Sequence, residues 1–267
     1  MTFLKQTLGK NYKWWYLFLY QIKASTVYRG SAIIWMIVKL IVIFFTILIW
    51  QINIESGSRL FELNEIITYY VVGSIIAISN GVHWNVSDLV KLGTLSKFMI
   101  MPSNIMARNI IQDFGWWFFQ NCIEIGSLGV VAIIFSKYII FSSPILVFLY
   151  ILCGVLGYFI SVFFSYFLGS FAFFLTDVHG ILDLQTQTNQ FLSGKTIPLS
   201  SAKILQPLAL LPFSYTFYHP MQIYLGKYSN IQIIQTFVGG IVWCIVLWIL
   251  ARLVFKAGLK KNEAVGL

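Results

Sequence analysis

Five apolar runs leave this chain fewest choices of fold: residues 32–50, 66–82, 110–135, 144–175 and 231–255. A helix needs about 20 mainly apolar residues to cross the roughly 30 Å hydrocarbon core of a bilayer, and each run reaches or approaches that length. Of the 267 residues, 58% are hydrophobic and only 10% charged, where a soluble domain carries roughly 25% charged residues. A soluble globule could not cover its surface with so few charges, and the same figures exclude disorder, collagen and coiled coil. The expected fold class is an all-α polytopic membrane protein, one domain over residues 1–267. Cys122, Cys153 and Cys244 each sit in an apolar stretch and read as small core residues, not a disulfide framework.

The formal net charge of +9 would suggest a nucleic-acid partner in a soluble protein. Here the basic residues flank apolar runs, so they report topology and no nucleic-acid partner is expected. Residues 1–31 carry Lys5, Lys10, Lys13, Lys23 and Arg29, too widely spread for a short cleavable leader. With Trp14, Trp15 and Tyr16 beside them, they predict a cytoplasmic interfacial helix lying among the lipid headgroups. Lys91, Lys97 and Arg108 follow the second run, and Arg252, Lys256, Lys260 and Lys261 close the chain. The segment after the first run is acidic instead, with Glu55, Glu62 and Glu65 against Arg59. Basic segments stay cytoplasmic, which places both termini inside and demands an even number of crossings. A sixth must therefore lie near residues 180–197.

That sixth crossing is unusually polar, reading ILDLQTQTNQFLS over residues 181–193. A polar span is tolerated only against protein or a water-filled cavity. His179, Asp183, Gln187 and Gln190 recur at helical spacing and form one stripe. With Asn189 they are candidates to line a translocation path, or alternatively to form a hydrogen-bond ladder between helices. Downstream, Pro198, Pro207, Pro212 and Pro220 interrupt apolar stretches too short to cross. The expectation for residues 197–229 is an external re-entrant hairpin of short helices before the last span.

Charges inside the runs are few. Lys39 in the first run could pair with Asp113 or Glu124 in the third, or instead snorkel to the interface. Gly73, Ala77 and Gly81, and likewise Ser161, Ser165 and Gly169, are spaced for close helix packing within the chain. Residues 84–108 form a basic cytoplasmic segment in which Leu89, Leu92, Leu95 and Met99 share a helical face. Asp88, Lys91 and Lys97 lie around the rest, Gly93 interrupts and Pro102 closes it. Such an amphipathic helix would rest on the membrane or present itself to a soluble partner. The histidines His83, His179 and His219 show no metal-ligand spacing. Ser193-Gly-Lys-Thr196 ends like a phosphate-binding loop but lacks the first glycine, where Asn189 stands. No nucleotide-binding domain is expected in this chain.

Several short motifs, in order, resemble the six-span permease subunits of bacterial type-2 ABC exporters, in particular a group whose permeases often occur in pairs. They are Tyr28-Arg29, IITYY at 66–70, GTLSKFMIMP at 93–102, Ser193-Gly194, Ile197-Pro-Leu199, Leu211-Pro-Phe213 and Tyr224-Leu-Gly226. The resemblance covers essentially the whole chain. It implies a transport subunit in the bacterial cytoplasmic membrane, paired with a second permease, identical or paralogous. Two separate ABC ATPase subunits would bind ATP and magnesium and dock at Asp88, Leu89, Leu92, Gly93 and Leu95. The amide-rich fifth span, with Gln185, Gln187, Asn189 and Gln190, departs from the family pattern. Other classes would need other features: an ion-coupled transporter wants inverted repeats and paired carboxylates. A membrane-embedded lipid-modifying enzyme would have only Asp177 with His179 to work with.

Overall fold

The computed structural model describes residues 12–265 apart from 28, 57–60, 77–81, 92, 94, 96–103, 135, 176 and 177. Every regular element among the described residues is helical. α1 (Tyr12–Thr26) precedes α2 (Arg29–Glu55), then come α3 (Leu63–Ile76), α4 (Val82–Lys91) and α5 (Ile105–Ile134). α6 (Pro144–Gly169) runs on into a 3-10 turn at Ser170–Phe173, followed by α7 (His179–Leu192). Three 3-10 segments, Leu199–Ser201, Lys203–Leu210 and Pro212–Thr216, lead through α8 (Tyr218–Tyr224) to α9 (Asn230–Val265).

Among the described residues, three helical stretches are both long and apolar enough to cross a bilayer: Met36–Glu55, Pro144–Phe173 and Asn230–Lys261. α5 has the length, with 30 residues or roughly 45 Å, but is wetter. α6 is the central post. Ser143 caps its start, accepting from the Leu146 N–H, and Pro144 supplies a pre-set first turn. Its neighbours come close because α6 carries glycines: a Cβ on Gly154 would overlap the Ile76 side chain, and one on Gly157 the Tyr215 carbonyl. The small-residue spacing read at 161, 165 and 169 also serves packing inside the chain. Ser165 is buried and its hydroxyl accepts from Gln185 Nε2 of α7 at 2.9 Å.

Of the apolar run at 66–82, the part up to Ile76 lies in α3, residues 77–81 lie outside the described residues, and Val82 opens α4. α3 is only 14 residues long, about 21 Å, yet it is buried nearly all round, from Ile66 to Ser74 and again at Ile76. α4 carries the start of the 84–108 segment. It ends at Lys91, Gly93 adopts a left-handed φ of 64°, and Val86 packs in one cluster with Met106, Tyr158, Tyr166 and Phe255. Ala77 and Gly81, Leu92, Lys97, Met99 and Pro102 lie outside the described residues.

α1 lies along α5, with Phe18 against Phe114 and Phe118. The proline-rich stretch is a series of short helices, mostly 3-10. Each proline lacks the N–H that an α-helical ladder needs, so the chain advances in tighter, shorter turns.

Candidate functional site

α7 has 14 residues, about 21 Å and less than the hydrocarbon thickness. One side of it is inside the protein. Val178 and Leu182 are fully buried with Ala172, and Gln185 and Asn189 face a narrow cleft with Ser161, Phe164 and Phe213. The other side is open, and there Asp183, Thr186, Gln187 and Gln190 form one exposed arc flanked by Leu184 and Phe191. The stripe read from spacing is therefore a physical face for Asp183, Gln187 and Gln190. Asn189 belongs to the opposite, inward side, and the His179 side chain lies outside the described residues. Gln185, absent from the expected path residues, is the amide that ties α7 to α6.

What ends α7 is a clamp that sequence reasoning missed. Gly194 turns the chain at φ 79°, where a side chain would be strained. Tyr69 OH donates to the Gly194 carbonyl at 2.8 Å and Tyr70 OH to the Thr196 carbonyl at 3.1 Å. Trp50 Nε1 in turn donates to Tyr70 OH at 2.9 Å. The segment that looks like a phosphate loop is thus a pinned turn at the end of a helix. The adjacent tyrosines at 69 and 70 were visible as part of a motif, but nothing in the sequence says that they reach 125 residues ahead.

Lys39 and Asp113 each have a partner on a neighbouring helix. Lys39 Nζ donates to the Ser74 carbonyl of α3 at 2.9 Å. Asp113 is buried and accepts from Tyr158 OH at 3.0 Å. The Glu124 side chain lies outside the described residues. Around the α4–α5–α6 seam, Ser87, Asn109 and Tyr166 also bury polar atoms that find no hydrogen-bond partner among the described residues.

The expected docking residues divide by exposure. Asp88 and Lys91 are exposed on α4, Leu89 is half-buried, and Leu95 is 2% exposed and so faces the core. Gly93 has open space where a Cβ would be, and Leu92 lies outside the described residues.

Beyond α7, His219 anchors the proline-rich segment. Its Nε2 meets the Ala209 carbonyl and its Nδ1 the Tyr228 hydroxyl, both at 2.8 Å. A carbonyl only accepts, so Nε2 carries the proton and Tyr228 donates to Nδ1. Burial pushes the imidazole down to about 4.

An all-helical chain with long lipid-length helices and a short amide-bearing helix on its open side is an integral membrane protein of the transporter class. Residues 33–266 match the family described as ABC-2 family transporter protein, and the chain belongs to that family. It is accordingly a transporter's membrane subunit, not a catalytic one, and membership implies association with ABC ATPase partners. No curated protein and no solved structure matches the chain.

Proposed function

We propose that this chain is the permease half of an ATP-driven exporter, working as a pair of permeases powered by two separate ATPase subunits that bind ATP and magnesium. The observation that carries the reading is the open arc of α7. Buried polar groups without partners cost about 1–3 kcal/mol each, and in hydrocarbon more. Asp183, Gln187 and Gln190 therefore want water or a second protein surface. A facing copy or paralogue would supply both, leaving a wet seam for substrate beside the two α7 helices.

In this reading the topology has six crossings with both termini cytoplasmic, in a bacterial cytoplasmic membrane. α2, α5, α6 and α9 are full crossings, α3 and α4 together make the second, and α7 with its pinned turn makes the fifth. Residues 197–229 form the external re-entrant hairpin. α4 carries the ATPase signal: its outer side offers Asp88, Leu89 and Lys91, and its inner side rests on the partly unsatisfied polar seam with α5 and α6.

The experiment is co-purification with an ATPase subunit from native membranes, followed by Gln187→Leu and Gln190→Leu. The expected result is a retained ATPase and an altered transport rate or substrate preference. Wild-type transport in both variants would move the path away from α7, and a permease that never brings down an ATPase would sink the exporter reading.

A further inference from the structure

A cavity of about 190 Å³ opens between α3 and the segment 198–227, an order of magnitude more than one buried water needs. No residue of α7 lines it, so it is separate from the proposed path. Phe61 and Leu225 give it apolar walls, while Glu65, Ser200, Gln222 and Lys227 give it polar ones. Lys227 and Glu65 form an ion pair at its rim, the two side chains 46% and 20% exposed. Deeper in, Gln222 is only 6% exposed, and on the same wall the buried Ser200 hydroxyl finds no hydrogen-bond partner among the described residues. A hydroxyl brings one donor and two acceptor lone pairs, and leaving a buried one unmet is costly unless something enters the cavity to meet it.

We infer that this cavity binds a small zwitterion carrying a primary ammonium and a phosphate, the chemistry of a phosphoethanolamine headgroup. The rim holds one fixed negative and one fixed positive charge. A lone anion entering would be opposed by Glu65, and a lone cation by Lys227. A zwitterion exchanges one ion pair for two, its ammonium to the Glu65 carboxylate and its phosphate to the Lys227 ammonium. Gln222 then serves either end, its Nε2–H toward phosphate or its Oε1 toward ammonium, and the Ser200 hydroxyl lies on the same wall. Phe61 and Leu225 are suited to the ethylene linker. A quaternary ammonium has no N–H to give Glu65, so the site discriminates against phosphocholine.

The test is native mass spectrometry of the purified full-length chain, titrated with palmitoyl-oleoyl phosphatidylethanolamine, the matching phosphatidylcholine, and free O-phosphoethanolamine as competitor. Phosphatidylethanolamine is expected to bind about tenfold more tightly than phosphatidylcholine, and Glu65→Gln or Lys227→Met each to weaken it about tenfold. Both rim positions are partly exposed, so these variants fold. Competition by free O-phosphoethanolamine assigns recognition to the headgroup alone, and binding without competition assigns the source to an intact lipid; either supports the site. Equal affinity for the two lipids, or wild-type affinity in both rim variants, overturns it. Because the readout is binding, the result is independent of whether α7 lines a transport path.

Discussion

Two residues show how a side chain's meaning depends on what folds beside it. Lys39 sits mid-run in α2, and its ammonium finds the Ser74 carbonyl of α3. Replacing it with methionine removes a part-buried, charge-assisted hydrogen bond between α2 and α3, a loss of about 1–2 kcal/mol. The expected outcome for Lys39→Met is a lower thermal midpoint with no change in which lipids or partners bind. An unchanged midpoint would mean that α2 and α3 pack as stably without the bond. His219 makes a second residue-scale prediction, through pH. Its folded value of about 4 lies below the ordinary 6.5, so above pH 6.5 both folded and unfolded states hold it neutral. As pH falls from 6.5 towards 4, only the unfolded state takes up the proton, and stability declines by up to about 3 kcal/mol. The wild-type thermal midpoint should therefore drop over that window relative to His219→Gln, which lacks the titrating group. Parallel pH profiles for the two proteins would contradict the assignment.

At the scale of elements, α4 is the one whose character changed most between pattern and fold. Leu89 and Leu95 share a helical face by spacing, but the left-handed turn at Gly93 separates them. Leu89 is left half-buried on α4 and Leu95 is sealed in the interior. Substitutions that look equivalent should then diverge. Leu89→Asp is expected to leave the protein folded while weakening ATPase association, measured by co-purification. Leu95→Asp buries an unpaired charge and is expected to destabilise by several kcal/mol, seen as aggregation or lost expression. Two well-folded variants with the same ATPase yield would place docking elsewhere. α7 shows a comparable division. Spacing alone groups Asp183, Gln187 and Gln190, but which side of the helix stays open depends on α6 and the 3-10 segments that cover Gln185 and Asn189.

For the whole molecule, the proposed topology puts both ends of the chain on one side of the membrane and the proline-rich segment on the other. Single cysteines at Ser229 and Lys203, both exposed, and at Lys260 test this in a background lacking Cys122, Cys153 and Cys244. An impermeant thiol reagent added outside intact cells should label 229 and 203 and spare 260. Labelling of 229 only from the cytoplasmic face would reverse the orientation, and labelling of 260 from outside would remove the even number of crossings.

Membrane residence, an all-helical fold and the polar face of α7 were legible in the residues themselves. Apolar length, charge placement and 3.6-residue spacing are properties of a chain segment and need no neighbours to be read. The family likeness rested on short motifs in order, and residues 33–266 bear it out. Which way α7 faces, why Ser193 to Thr196 form a turn, and the cavity beside Gln222 belong to the tertiary structure. Each depends on contacts across long sequence separations, such as Tyr69 with Gly194 and Lys227 with Glu65. Helices in a bilayer are apolar on nearly every side, so periodicity cannot say which side is packed. Only the fit of small residues such as Gly154 and Gly157 against Ile76 and Tyr215 decides which helices touch.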